Sequence, residues 1–243
     1  MTGRRHPPRR LPLSSSEGGW RPRSKAWART VLMLSACLVQ ACAAGPSGQR
    51  AGTWTADRMP DGPVRSLREM RRDGVVMQAW DLSCGAAALA TLLNYHHGDP
   101  VSELEITRGL IDRDIYLETP ELVKARQGFS LADLARFTNA RGYRAGGFGS
   151  LAFADLAAMT PLILPIFENG QSHFVVYRGV WQGQVLLSDP AFGVRTMRRT
   201  TFERLWIPVN DEVGRVGFTV DRRDGLDPPD RLRARPADFM MSG

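Results

Sequence analysis

Apolar and polar positions divide this chain into a helical half followed by a stranded half. From Leu82 onward the text SCGAAALATLLNYHHG is apolar around most of its circumference and is stopped by Gly98 and Pro100, which predicts a central, buried helix. Three amphipathic stretches follow, punctuated by Gly109, Gly128 and Gly142: SELEITRGLI, TPELVKARQG with Thr119 as cap and Pro120 at the first helical position, and SLADLARFTNARG with Ser130 as cap. After ADLAAMTP the pattern becomes strand-like: LILPIF, then HFVVYRGV and QVLLSD around Gln182-Gly183, then VGFTV. Upstream, PVRSLREMRRDGVVMQAW predicts a hairpin turning at Asp73-Gly74. Helices first and strands second give an α+β domain, its N-terminal helical part and central helix packed on a C-terminal antiparallel sheet.

The two ends break this pattern. Residues 1–43 hold a basic stretch ending in SKAWAR, the apolar run TVLMLSACLVQACA and then small residues, the layout of an export signal. The run is shorter than the roughly 20 residues a membrane span needs. Cleavage after Ala41-Cys42-Ala43 leaves a soluble protein. A lipobox reading of Leu34-Ser35-Ala36-Cys37, or the poorer Val39-Gln40-Ala41-Cys42, leaves a lipidated cysteine as the one means of membrane anchoring. Either way the expectation is an exported, periplasmic protein, to whose fold the signal contributes nothing. Residues 44–61 read as a linker, 62–220 as the domain, and the charged, proline-bearing 221–243 as a disordered tail.

Charge changes the picture only at the N-terminus. The net +7 suggests nucleic acid, yet residues 1–43 carry eight basic side chains and one acidic, leaving 24 of each in the remaining 200 residues. The body has no electrostatic footprint for a nucleic acid partner. No cofactor or metal is expected, because one cysteine and scattered histidines lack zinc-ligand spacing.

Cys84 is the single cysteine of the globular part, so a disulfide framework is excluded. A lone cysteine is ordinarily a small buried apolar residue. Its place at the start of the central helix, after Asp81 and Ser83 as alternative caps, points elsewhere, since exposed helix N–H groups favour thiolate. A nucleophilic thiol needs a base. His6 lies in the signal, and His96 and His97 sit 12 and 13 residues along the same helix, roughly 18 Å away. His173, opening an apolar strand, is either structural or that base. Asp189, ending the next strand, is placed to orient its imidazole. A regular two-residue turn at Gln182-Gly183 would set Val176 opposite Asp189 and put His173 and Asp189 on opposite sheet faces, so a shared site requires an odd-length loop or a β-bulge. Gln78, six residues before Cys84, carries an amide able to donate to an oxyanion.

These residues resemble the C39 peptidases, the bacteriocin-leader or double-glycine peptidases of papain-like fold. The likeness rests on Gln78 followed by Asp81 and SCGAAALATLLNY, then GFSLADL, GYRA, PLILPI, SHFVVYRGV, DPAFGVRTM and FERLW, in that order over about residues 64–220. It implies a cysteine endopeptidase with Cys84 as nucleophile, His173 as base and acid, Asp189 as orienting residue and Gln78 as oxyanion donor. The implied partner is a secreted polypeptide cut at a Gly-rich or double-glycine site. The export signal and the lack of transporter segments are similar to stand-alone, exported members, some of which accompany amyloid or adhesin systems. Two alternatives stay open: a non-cleaving peptide-binding or assembly factor of a secretion or surface-fibre system, and a papain-like hydrolase of peptidoglycan peptides.

Overall fold

In the computed structural model, which describes residues 8–11, 65–119, 121–125 and 127–240, the domain opens on a helix where a hairpin was expected. Ser66 and Glu69 form a reciprocal capping box that starts α1 (Leu67–Arg71). The Ser-x-x-Glu spacing outweighs the scattered apolar residues between them, and Gly74 (φ 75°) merely turns the chain into the extended segment that follows. The remainder of the expected signal, Cys37 and Cys42 included, the linker 44–61 and Pro120 lie outside the described residues.

The central apolar run becomes α2 (Cys84–Thr91), in which every residue is buried. It continues as a π-helical turn, Leu92–His97, stopped by Gly98 in the left-handed region (φ 70°). Around it pack α3 (Glu103–Ile111, capped by Ser102), α4 (Asp114–Glu118), α5 (Glu121–Ala125) and α6 (Leu131–Ala140), the last started by a Ser130–Asp133 capping box. Asp133 is fully buried and also receives the Tyr116 hydroxyl and the Arg113 guanidinium, so one carboxylate ties α4 to α6.

Among the described residues, one antiparallel sheet of seven strands supports these helices, in the order β1-β2-β7-β3-β4-β5-β6. Its members are β1 (Arg9–Arg10), β2 (Tyr143–Gly149), β3 (Leu162–Glu168), β4 (Gln171–Trp181), β5 (Gln184–Asp189), β6 (Gly193–Arg198) and β7 (Gly217–Arg222). Among the described residues, alternation along the strands feeds the two larger of three buried apolar clusters, the third being Val75, Leu186 and Val194. Ile163, Val176 and Phe218 face α2, Leu89 and Leu134, whereas Leu164, Val175, Tyr177 and Leu187 face Phe202 and Trp206 under α7 (Leu156–Met159) and α8 (Arg199–Leu205). β2 and β6 were not legible in advance, one being glycine-rich and the other three residues in six basic or hydroxylic. Arg9 and Arg10 pair with Gly149 and Phe148 and Leu11 donates its N–H to the Gly147 carbonyl, so the N-terminal segment does touch the fold along the free edge of β2.

The expected disordered tail is a second correction. Beyond β7 the chain runs back over the helix end: Asp230 and Arg231 donate backbone N–H groups to the carbonyls of His96 and Tyr95, which the ending helix leaves unpaired. Leu232 is fully buried in the helical core, and α9 (Pro236–Met240) places Phe239 against Trp181. Leu232 is the missed signal, a fully buried apolar anchor inside a charged stretch.

His97 supplies a stability prediction. It is 4% exposed, and its Nε2–H donates to the Val220 carbonyl at 3.1 Å. Burial, then the neighbouring His96, push its pKa down to about 4. The unfolded chain therefore takes up a proton near pH 6.5 that the folded protein refuses until about 4, and stability falls across that window as pH drops. His97 alone is expected to remove roughly 2–3 kcal/mol by its lower end. Urea unfolding at pH 7 and pH 4.5 checks this: His97→Gln, which still donates to Val220, loses less on acidification, and an equal loss in both proteins removes His97 as the cause.

Candidate active site

The strand carrying His173 and the strand carrying Asp189 meet through a two-residue turn, Gln182 (φ 48°) and Gly183 (φ 75°), the two left-handed residues of a tight hairpin. Regular pairing from that turn would set the two side chains on opposite faces. Instead Gly179 pairs with Leu186 and Tyr177 with Leu187, with Arg178 as an extra residue between them, and Val176 comes opposite Ser188. This bulge shifts parity by one. His173 and Asp189 thus share a face, and the His173 Nε2 lies 2.7 Å from Asp189 Oδ1.

Asp189 is completely buried and heavily engaged. Its Oδ1 also accepts from the backbone N–H groups of Ala191 (2.8 Å) and Phe192 (3.2 Å), and its Oδ2 lies 2.7 Å from Arg195 Nη2. Burial by itself would raise the carboxyl pKa, but the His173 hydrogen bond and charge, the Arg195 charge and the Ala191 N–H outweigh it and hold the group below its ordinary value. For His173 burial acts to lower the pKa; the hydrogen bonds to Asp189 and Cys84 and the electrostatic influence of both groups overcome it and raise the value to about 9. With Nε2 committed to Asp189, Nδ1 is the nitrogen left for the thiol.

Cys84 reaches the imidazole because α2 begins hard against β4. A Cβ on Gly85 would already sit 3.3 Å from the Phe174 ring, so glycine lets the first turn of α2 rest beside His173. Ser83 stands at the N-cap, but its hydroxyl makes no cap; it donates back to the Trp80 carbonyl at 2.7 Å. The first N–H groups of α2 therefore have no side-chain acceptor at the position of Cys84.

Gln78 lies between this turn and the Asp189 loop. Its backbone N–H donates to the Pro190 carbonyl (2.9 Å) and its Nε2 to the Trp80 carbonyl (3.1 Å), leaving one N–H of the amide uncommitted. The reverse amide orientation would set two oxygens face to face. Sequence reasoning missed Glu103, a nearly buried residue of α3 whose two oxygens both accept the Ala79 N–H at 3.0 Å and so pin this segment. It also missed Arg195 and Glu168. No local pattern marks these three, because each acts on a residue more than 20 positions away or on another strand.

The four expected residues are thus gathered where the start of α2, the Gln78 segment and strands β4 and β5 meet. His96 and His97 are not among them; His96 pairs with Asp230 at 2.8 Å. A thiol, an imidazole held by a carboxylate and neighbouring amide donors can perform acyl transfer. Among the described residues, no group of three or more His, Cys, Asp or Glu is arranged to hold a metal ion. An apolar groove of about 320 Å³ begins at Ser83, lined by Trp80, Leu82, Leu104, Ile111, Val123 and Phe129. A larger cavity of about 1250 Å³, lined by Arg178 and the arginines of the C-terminal segment, includes no residue of this constellation.

Comparison with known proteins places the chain in a family. The Peptidase C39 family model matches residues 72–210. The probable functional amyloid protease FapD of Pseudomonas aeruginosa is 35% identical over 173 residues, covering 71% of this chain and 74% of its own. Its namesake in Pseudomonas fluorescens is 34% identical over 199 residues, covering 79% and 84%. Among solved structures, the peptidase domain of Streptococcus ComA, a bifunctional ABC transporter of a quorum-sensing pathway, aligns with a TM-score of 0.47 and 17% identity over 61% of this chain and 98% of that domain. A double glycine motif protease from an AMS/PCAT transporter, solved with a leader peptide, aligns with a TM-score of 0.39 and 19% identity over 61% and 90%. With more than half of its length matched by the family model, this chain belongs to the C39 family of peptidases.

Proposed function

We propose that the protein is a cysteine endopeptidase that cuts an exported polypeptide at a Gly-rich or double-glycine site. The observation that carries this reading is the imidazole of His173, engaged with the Cys84 thiol and hydrogen-bonded to a fully buried Asp189. Cys84 Sγ, its proton held on His173 Nδ1, attacks the scissile carbonyl carbon. The oxyanion that forms takes hydrogen bonds from Gln78 Nε2–H and the Cys84 backbone N–H. The C–N bond then breaks as Nδ1–H protonates the leaving amine, leaving a thioester on Cys84. His173 next takes a proton from water, the resulting hydroxide attacks the thioester, and the C–S bond breaks to release the acid. Asp189 keeps Nε2–H oriented throughout and stabilises the imidazolium.

Substrate class rests on family and surroundings. The groove beside Ser83 suits apolar side chains near the cleaved bond, and Trp80, 48% exposed, forms its outer wall. The relatives named functional amyloid proteases favour a precursor or partner of a secreted fibre system as the polypeptide cut. Residues 1–43 would bring the protein to the periplasm, soluble or held by a lipidated Cys37. The experiment is cleavage of internally quenched peptides with and without a Gly-Gly pair, together with iodoacetamide alkylation mapped by mass spectrometry. Cleavage after Gly-Gly that stops once Cys84 is alkylated is the expected result. Tight peptide binding with no cleavage, and a Cys84 no more reactive than free cysteine, would overturn it in favour of a binding module.

A further inference from the structure

Glu168, His173, Asp189 and Arg195 come from four neighbouring strands, β3 to β6, and register places them on one face: Ile166 pairs with His173, and Leu187 pairs with both Tyr177 and Arg195. Arg195 is the middle of a bridge. Its Nη2 lies 2.7 Å from Asp189 Oδ2 and 2.6 Å from Glu168 Oε2, its Nη1 lies 3.3 Å from Glu168 Oε1, and its guanidinium stacks over Phe192 at 5.0 Å. Asp189 is fully buried, whereas the Arg195 and Glu168 side chains are 21% and 24% exposed. A lone exposed ion pair has little consequence, but this one ends on the carboxylate that holds the imidazole.

We propose that Arg195 and Glu168 act as an opposed positioning couple for Asp189: Arg195 fixes the carboxylate with Oδ1 toward His173 and draws off part of its charge, while Glu168 competes for Arg195 and so limits that withdrawal. The inference rests on the reading of Cys84 and His173 as a reactive pair. The charged groups facing the imidazole and its carboxylate are Cys84 on α2, Asp189 on β5 and Arg195 on β6, with Glu168 on β3 behind Arg195. The two members of the couple have opposite signs of action. Removing Arg195 leaves Asp189 with its full charge on His173, which then keeps its proton to higher pH. Neutralising Glu168 leaves the guanidinium to Asp189 alone, and His173 loses its proton at lower pH.

The test needs no substrate. Cys84 is alkylated with iodoacetate and with iodoacetamide between pH 6 and 11; an adjacent imidazolium favours the anionic reagent, so the pH at which that preference disappears reports His173. In the wild type this falls near pH 9. Arg195→Met is expected to move it upward and Glu168→Gln downward, each by about half to one pH unit, with Arg195→Lys intermediate. Glu168→Gln is mild enough to keep the test alive if Arg195→Met fails to fold. Thermal melts accompany each variant, because a purely structural bridge would lower Tm without moving the midpoints. Unmoved midpoints, or shifts of the same sign, in folded variants overturn the couple. A flat preference in the wild type, unaffected by His173→Gln, overturns the Cys84–His173 reading itself.

Discussion

His173→Ala is expected to lower kcat/KM on a cleavable peptide by roughly 10³–10⁴-fold, because in the proposed mechanism one substitution removes the base, the acid for the leaving amine and the counter-ion of the thiolate. Cys84→Ala should fall to the same floor and the double variant no further, if the two groups act as a unit. Additive losses would show that they do not. The wild-type pH profile should carry an alkaline limb near 9, where His173 gives up the proton that the leaving amine needs. Stability moves with the same group. Its folded pKa is raised from 6.5 to about 9, so its contribution is fully present below 6.5 and is lost as pH rises through about 9. His173→Ala should flatten that part of the stability curve while removing activity at every pH. A variant that keeps wild-type turnover at pH 7 ends the proposed mechanism.

Gly193→Ala should be the most damaging single methyl group near the site. Gly193 has φ 85°, and a Cβ there would meet the Arg71 carbonyl oxygen at 2.5 Å and its carbon at 3.2 Å. Both contacts are backbone at the end of α1, so no side chain can swing away. Left-handed strain and the clash together should cost roughly 3 kcal/mol or more, or about 6–12 °C in Tm. The effect reaches the chemistry as well. Gly193 pairs with Asp189 across a turn whose Ala191 and Phe192 N–H groups donate to Asp189 Oδ1. Pushing that turn off α1 loosens the carboxylate, so kcat should fall at temperatures where the variant is still folded. Gly183→Ala is the control: φ is 75° but a Cβ there meets nothing within 4 Å, leaving only the backbone cost of about 1 kcal/mol. Equal melting shifts in the two variants would refute the clash.

Local chemistry carried much of the reading. The all-round apolar run from Leu82 to His97 points to a buried helix, and Ser130 marks a helix start by capping, a contact spanning three residues that Ser102 also makes in the structure. The same rule, overlooked at Ser66 and Glu69, explains why the expected hairpin is α1. Elimination among four histidines reached His173 because helix rise is a fixed length per residue. Strand parity, a matter of counting, required a bulge or an odd loop between His173 and Asp189.

Counting did not say where that irregularity would fall. It falls at Arg178, whose side chain is 6% exposed and whose Nε donates to the Leu232 carbonyl at 2.9 Å, 54 residues away, with Asp238 at 3.3 Å from Nη2. A stretch read as a disordered tail therefore holds the extra residue that aligns the site. Arg195, Glu168 and Glu103 likewise gain their partners only when distant segments meet, and their sequence neighbours do not distinguish them from surface charges. Periodicity, capping and spacing act within a few residues and are determined by the sequence alone. Which buried charge finds which partner depends on long-range pairing that costs chain entropy and is repaid only in the assembled sheet, so the tertiary structure alone decides it.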